Sequence, residues 1–245
     1  MHNVVPRTIF AISVILLSTQ LFPIYAFGNG ACCSVTKGSS EKINLSIIGS
    51  SAWSHENVGG NYYNLSRQAL MAKISGPIPY GFVLQAQVGW PVYTRLAHQY
   101  TEMRGYGGII YGLGLGYELP GLVKAIELYA TVNYTRSHGF LDEDVGSFGD
   151  IGTIDQTFLI SELQGIFLGE ISLGTGVAVY TGLRAYAGKN QLKDNQAKVT
   201  SNGDREGNLA PLAGFRFGLS DTVSLIVDGG FGHTKVVGVG AIFSL

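Results

Sequence analysis

Four histidines beyond the first 26 residues, His55, His98, His138 and His233, and the acidic run "HGFLDEDVGSFGDIGTID" at 138–155 are the side chains most able to do chemistry. Imidazole serves as a metal ligand and as a general base near neutral pH. No two of these histidines stand at zinc-ligand spacing, and the "SH" pairs at 54–55 and 137–138 give no nucleophile–base arrangement. The acidic run starts like a calcium loop, with Asp142 and Asp144 at its first two ligand positions. Gly146 then occupies the third, and the closing Glu is missing. The expectation is therefore no catalytic residue, no metal site and no cofactor, with all four histidines at one end of the fold.

The elements that hold these residues alternate with a period of two. In "IIYGLGLGYE" (109–118), Ile109, Tyr111, Leu113, Leu115 and Tyr117 share one face and Gly112, Gly114 and Gly116 the other. Alternation of this kind marks a strand, and three interior glycines would each cost a helix about 1 kcal/mol. The pattern recurs in "KINLSIIGSSAW" (42–53), "FVLQAQVGW" (82–90), "AIELYATVNYT" (125–135) and "VSLIVDGGF" (223–231). Ten segments are expected: 42–53, 61–75, 82–91, 106–118, 125–136, 155–168, 171–187, 209–219, 223–233 and 235–245, with eight or twelve as alternatives. Long connections at 54–60, 92–105, 137–154 and 188–208 alternate with short ones at 76–81, 119–124, 169–170 and 220–222. Segments of about ten residues match a tilted strand crossing a bilayer.

Composition supports a membrane wall. Only 13% of the 245 residues are charged and 35 are Gly, while a net charge of −1 supplies no basic field, which argues against nucleic acid as a partner. At the N-terminus, Arg7 precedes the apolar Ile9–Leu17, and small Ala26 follows Pro23. Residues 1–26 are read as a secretory signal peptide, with an uncleaved anchor as the alternative, and 27–41 as a short periplasmic segment with no separate periplasmic domain. Cys32 and Cys33 have no later partner, so no disulfide framework is expected.

A sheet in lipid survives only when it closes, because every backbone polar group must be paired within the protein. Residues 42–245 are therefore expected to form an all-β, closed, antiparallel up-and-down transmembrane β-barrel; a soluble β-sandwich is the alternative fold. The large face of 109–117 meets acyl chains, with Tyr111 and Tyr117 near the headgroups. Its glycines give room in a narrow lumen. By parity Glu118, Glu127, Glu162, Arg184, Arg216 and Asp228 face that lumen. In "YYNLSRQALMAKIS" a lipid-facing Arg67 would cost about 2–4 kcal/mol, so Arg67, Met71 and Lys73 turn inward, with a bulge near Ser66 returning Tyr63 and Leu65 to the lipid face. These charges form either a conduit lining or an internal ion-pair plug.

The chain ends in "GVGAIFSL", with Gly240 three places before Phe243 and Leu245 two beyond it. This resembles the C-terminal assembly signal of small Gram-negative outer-membrane barrels, the general OmpA/OmpX-like superfamily, over a pattern covering 42–245. Leu245 replaces the usual terminal aromatic, and Gly238 a polar residue. The resemblance implies an outer-membrane location, contact with lipid and lipopolysaccharide, and recognition of the last strand by the barrel assembly machinery. The leading expectation is a non-enzymatic barrel with a narrow or plugged lumen and long extracellular loops. A narrow porin-like channel and an extracellular-rim protease or lipid-modifying enzyme are the alternatives.

Overall fold

The computed structural model describes residues 42–99, 102–123, 126–143, 155–174, 176–195 and 197–245. The expected signal peptide (1–26), the periplasmic segment (27–41) with Cys32 and Cys33, and positions 144–154 of the acidic run lie outside the described residues.

Among the described residues eleven strands follow one another: β1 (Asn44–Val58), β2 (Asn61–Ile78), β3 (Phe82–Ala97), β4 (Glu102–Gly105), β5 (Gly108–Val123), β6 (Ile126–Glu143), β7 (Asp155–Ser172), β8 (Val177–Asp194), β9 (Val199–Gly218), β10 (Val223–Gly230) and β11 (Lys235–Ser244). Each pairs antiparallel with its neighbours, and β11 pairs back onto β1 from Asn44↔Ser244 to Trp53↔Lys235. β4 and β5 both lie between β3 and β6, so they share one stave and the closed ring has ten positions. Among the described residues the only helix is the single 3-10 turn Pro79–Gly81 between β2 and β3.

The strands outrun the expected segments. β9 has 20 residues and β2, β6, β7 and β8 have 18 each, against the 9–11 or so needed to cross a bilayer. The expected loop 54–60 shrinks to the turn Gly59–Gly60, both at positive φ. Most of the expected loop 188–208 is the paired top of β8 and β9. Hydrogen-bonded ladders need no apolar alternation to persist outside lipid, which is why the sequence pattern missed them. The expected turn at 169–170 is also displaced: Gly169 and Glu170 lie inside β7, and the chain reverses at 173–176.

β2 carries no bulge at Ser66. Its register against β1 is unbroken from Asn61 to Ser75, and Leu65 points inward like Arg67, Met71 and Lys73. The irregularity sits across the ladder on β3, where Val92 is extra between Pro91 and Tyr93, as suits a proline that cannot donate to a ladder. Below it Val83 and Gln85 face the interior, and above it Thr94 and Leu96 do. The even positions of β3 stay largely apolar from Phe82 to Leu96, but the bulge moves them from the outer face to the inner one.

That exchange describes the whole wall. Across the lower part, Leu45, Leu70, Leu84, Leu113, Val132, Phe167 and Phe215 point outward and are exposed, while Ser46, Lys73, Gln85, Thr131, Gln164 and Asp228 are buried inside. Aromatic pairs edge this belt, Phe82 with Tyr117 at one border (4.9 Å) and Tyr93 with Tyr106 at the other (5.4 Å). Above the belt the polarity reverses: Val58, Leu65, Leu96, Met103, Leu141, Phe158 and Ile160 cluster inside, with Asn64, Arg104, Lys189 and Asn202 outside.

β10 and β11, with 8 and 10 residues, stop at the belt's upper border. Over the hairpin that joins them, the top of β1 meets β9 directly, where the Gly59 N–H donates to the Asn202 carbonyl at 2.8 Å. The upper barrel closes there with two staves fewer.

Candidate functional site

The interior at this narrowing holds the densest polar cluster. Arg205 of β9 reaches across to Glu56 of β1, with Nη2 at 2.9 Å from Oε1 and Nε at 3.1 Å from Oε2, and its Nη1 pairs with Glu162 of β7. The Arg205 and Glu56 side chains are each 2% exposed. Asn190 and Ser54 donate to Glu56, Gln164 donates to Glu162, and the Thr234 hydroxyl accepts from Arg205 at 3.0 Å. Tyr186 underlies the cluster. Arg184 and Arg205 stack on its ring at 5.0 and 5.5 Å, and its hydroxyl accepts the Thr234 N–H at 3.1 Å. A buried guanidinium between two carboxylates, with remaining hydrogen-bond capacity met by neutral donors, is the arrangement that makes charge burial tolerable.

Each charge expected to face the lumen has a definite place. Arg67 is buried, its Nε donating to Thr94 Oγ1 at 3.3 Å and its Nη1 to Ser137. Arg184 is buried and donates to the Thr234 carbonyl at 3.0 Å. Glu162 belongs to the Arg205 cluster. Lower in the barrel, Arg216 pairs with Glu170, and Asp228 accepts from Tyr180 at 3.2 Å. Near the short turns, Glu127 accepts from Tyr129 at 2.8 Å, and Glu118 is half-buried.

Sequence reasoning missed the partners. Glu56 and Arg205 fell in expected loops and Glu170 in an expected turn, so none was counted as inward-facing. β9 also gains a residue against β8 between Asn208 and Arg205, which reverses its parity, so that Arg205 and Ala210 both point inward. A 20-residue ladder through "SNGDREGN" leaves no apolar signal; the presence of two carboxylates and one arginine near expected strand ends was the only available hint.

The interior is layered. Above the Arg205 cluster lies the apolar cluster from Val58 to Ile160, packed with Tyr63 and Leu192. Below it, Ile48, Ala69, Met71, Ile110, Ile226 and Ile242 form one group, and Tyr129, Ile166, Leu168, Tyr180 and Leu212 another. Inward glycines admit the larger neighbours: a Cβ on Gly114 would overlap the Asn133 amide, and one on Gly214 would lie 2.7 Å from Tyr180 Cε2.

His55 and His233 stand together, their rings edge-on with centroids 6.2 Å apart, while His98 and His138 each have other partners. His98 Nδ1 lies 2.7 Å from the Tyr62 carbonyl and His233 Nε2 lies 2.6 Å from the His55 carbonyl, while His138 stacks on Tyr111. Among the described residues no group of three or more His, Cys, Asp or Glu is placed to hold a metal ion. At the chain end, Gly240 pairs with Ile48 and Phe243 with Leu45, and the Leu245 N–H donates to the Ile43 carbonyl at 2.8 Å. A Cβ on Gly240 would lie 2.7 Å from the Ile47 carbonyl oxygen.

A closed antiparallel ring with an apolar, aromatic-edged outer belt and a polar, side-chain-filled interior defines a transmembrane β-barrel of the outer-membrane type. No family model matches the chain, and no curated protein matches it. Solved structures similar to it include the translocator domain of the autotransporter NalP from Neisseria meningitidis, at 14% identity and TM-score 0.49 over 97% of this chain and 95% of that one. An outer-membrane channel from Pseudomonas putida F1 aligns at 13% identity and TM-score 0.47 over 86% of this chain and 100% of that one. The attachment invasion locus protein Ail of Yersinia pestis aligns at 15% identity and TM-score 0.39 over 84% and 99%.

Proposed function

We propose that the protein is a non-enzymatic, integral outer-membrane barrel with a sealed lumen, whose extended outer part presents surface loops to partners. In this reading residues 1–26 are the export signal, and the last strand, with Gly240, Phe243 and Leu245, is what the assembly machinery engages. The observation that supports it is the layering of the interior: the buried Arg205–Glu56–Glu162 cluster stands directly beneath an apolar plug that includes Leu96 and Phe158, both 0% exposed. A hydrated ion path needs a polar lining along its length, and seven apolar side chains meeting directly above the charged cluster deny it one.

The test is planar-bilayer conductance of the full-length, detergent-folded protein, with heat-modifiable gel migration as the check on folding. Folded protein is expected to show no stable conductance. Discrete ohmic steps from the folded species would overturn the sealed-lumen reading in favour of the narrow channel.

A further inference from the structure

The outer wall just above the belt carries charges that the interior does not explain. Register aligns Arg136 of β6, Ser161 of β7 and Lys189 of β8 in one row, a single step beyond Tyr134, Leu163 and Ala187, where the apolar belt ends. Two steps further along, Phe140, Thr157 and Lys193 form a parallel row. All three cations point outward: Lys189 and Lys193 are exposed, and Arg136 is half-buried with its Nε lacking a hydrogen-bond partner. With strands about 4.8 Å apart, Arg136 and Lys189 stand about 10 Å from one another across Ser161, and Lys193 about 13 Å further along β8.

Four other arginines hold carboxylates, Arg205 and Arg216 inside and Arg95 and Arg104 with Glu102 on the rim, and the buried Arg67 and Arg184 donate to hydroxyl and carbonyl oxygens. Arg136, Lys189 and Lys193 form no ion pair among the described residues. Asp204, beside Lys189 in register, is the one described acid in that row. A cluster with excess positive charge at the border of the belt faces the depth at which lipid headgroups lie. Guanidinium and ammonium groups around a hydroxyl suit phosphate oxygens.

We propose that Arg136, Lys189 and Lys193, with the Ser161 hydroxyl between the first two, bind the phosphate groups of the outer-leaflet glycolipid, lipopolysaccharide. The site rests on the reading of the chain as an outer-membrane barrel and gives that barrel a specific lipid contact on its β6–β8 sector.

The experiment measures lipid A binding to the full-length, detergent-folded protein by native mass spectrometry, using bisphosphorylated lipid A and its dephosphorylated form. The triple variant R136Q/K189Q/K193Q is expected to bind the phosphorylated lipid about tenfold more weakly, no better than wild type binds the dephosphorylated lipid. K235Q, an exposed cation away from the cluster, should match wild type. Equal binding by the triple variant, or equal binding of the dephosphorylated lipid, would overturn the site. Displacement by inorganic phosphate would overturn the glycolipid assignment in favour of a free anion. Heat-modifiable migration of each variant separates loss of the site from failure of the barrel reading, since outward polar substitutions leave the ladder and core untouched.

Discussion

Glu56 and Arg205 lie 149 positions apart in the chain, on strands that are not neighbours in the ring, yet they form a two-point ion pair beneath the junction where β1 closes onto β9. Substituting Arg205 with Gln strands Glu56 and Glu162 as buried carboxylates without a cation. The expected cost is about 3–5 kcal/mol, read as a lower urea midpoint in detergent. Adding E56Q and E162Q to the same chain should restore part of the loss, because the orphaned charges are then gone. An unchanged midpoint in R205Q would show that the cluster does not hold the junction.

The reversal of polarity along the wall separates two kinds of exposed apolar residue. Leu113 is 64% exposed at the centre of the belt, and Val199 is 58% exposed on the upper extension. L113R should lose about 2–4 kcal/mol of folding free energy in lipid vesicles. V199R, facing water, should stay within about 0.5 kcal/mol of wild type. Refolding yields and denaturation midpoints in vesicles distinguish the two, and an equal penalty at both positions would mean that the belt extends to Val199.

Legibility in the sequence followed the solvent. Inside the belt, lipid outside and a filled lumen inside force alternation, so the ten staves, their order and the outward face of Ile109–Tyr117 could be read directly. Above the belt both faces tolerate polar residues, and β8 and β9 continued through stretches such as "GKNQLKDN" without an apolar rhythm. Parity, the tool that turned Glu162 and Arg184 inward, also fails at each bulge. One extra residue at Val92, and another between Arg205 and Asn208, reversed the face of everything beyond. Of the Arg205–Glu56–Glu162 cluster only Glu162 was therefore legible, as a charge in search of a partner, while Glu56 and Arg205, like Glu170 lower in the barrel, required the ladder itself.

Gly214 tests how tightly the lower lumen is filled. Its missing side chain makes room for the Tyr180 ring, whose hydroxyl donates to Asp228. G214A should force the ring aside and weaken that bond, at a cost of about 1–3 kcal/mol. In the background Y180A, where the ring is absent, the same substitution should cost little. A full penalty in both backgrounds would place the constraint in the β9 backbone instead of the Tyr180 contact.

Beyond the aromatic border, Glu102 sits between Arg95 (Nη2 to Oε2, 2.6 Å) and Arg104. The hydrogen bond from Arg95 is the main cause that lowers its carboxyl from the ordinary 4.5 to about 2; partial burial opposes the shift, and Arg104 adds to it. A value depressed in the folded state means that the pairing stabilises above about pH 4.5 and fades as the pH falls from there towards 2. All three side chains are partly exposed, so the contribution is under about 1 kcal/mol. E102Q should therefore unfold at a slightly lower temperature than wild type at pH 6, with the difference closing below pH 3. A gap of the same size at both pH values would assign the effect to packing around β4, because a lost ion pair must titrate with the carboxyl that forms it.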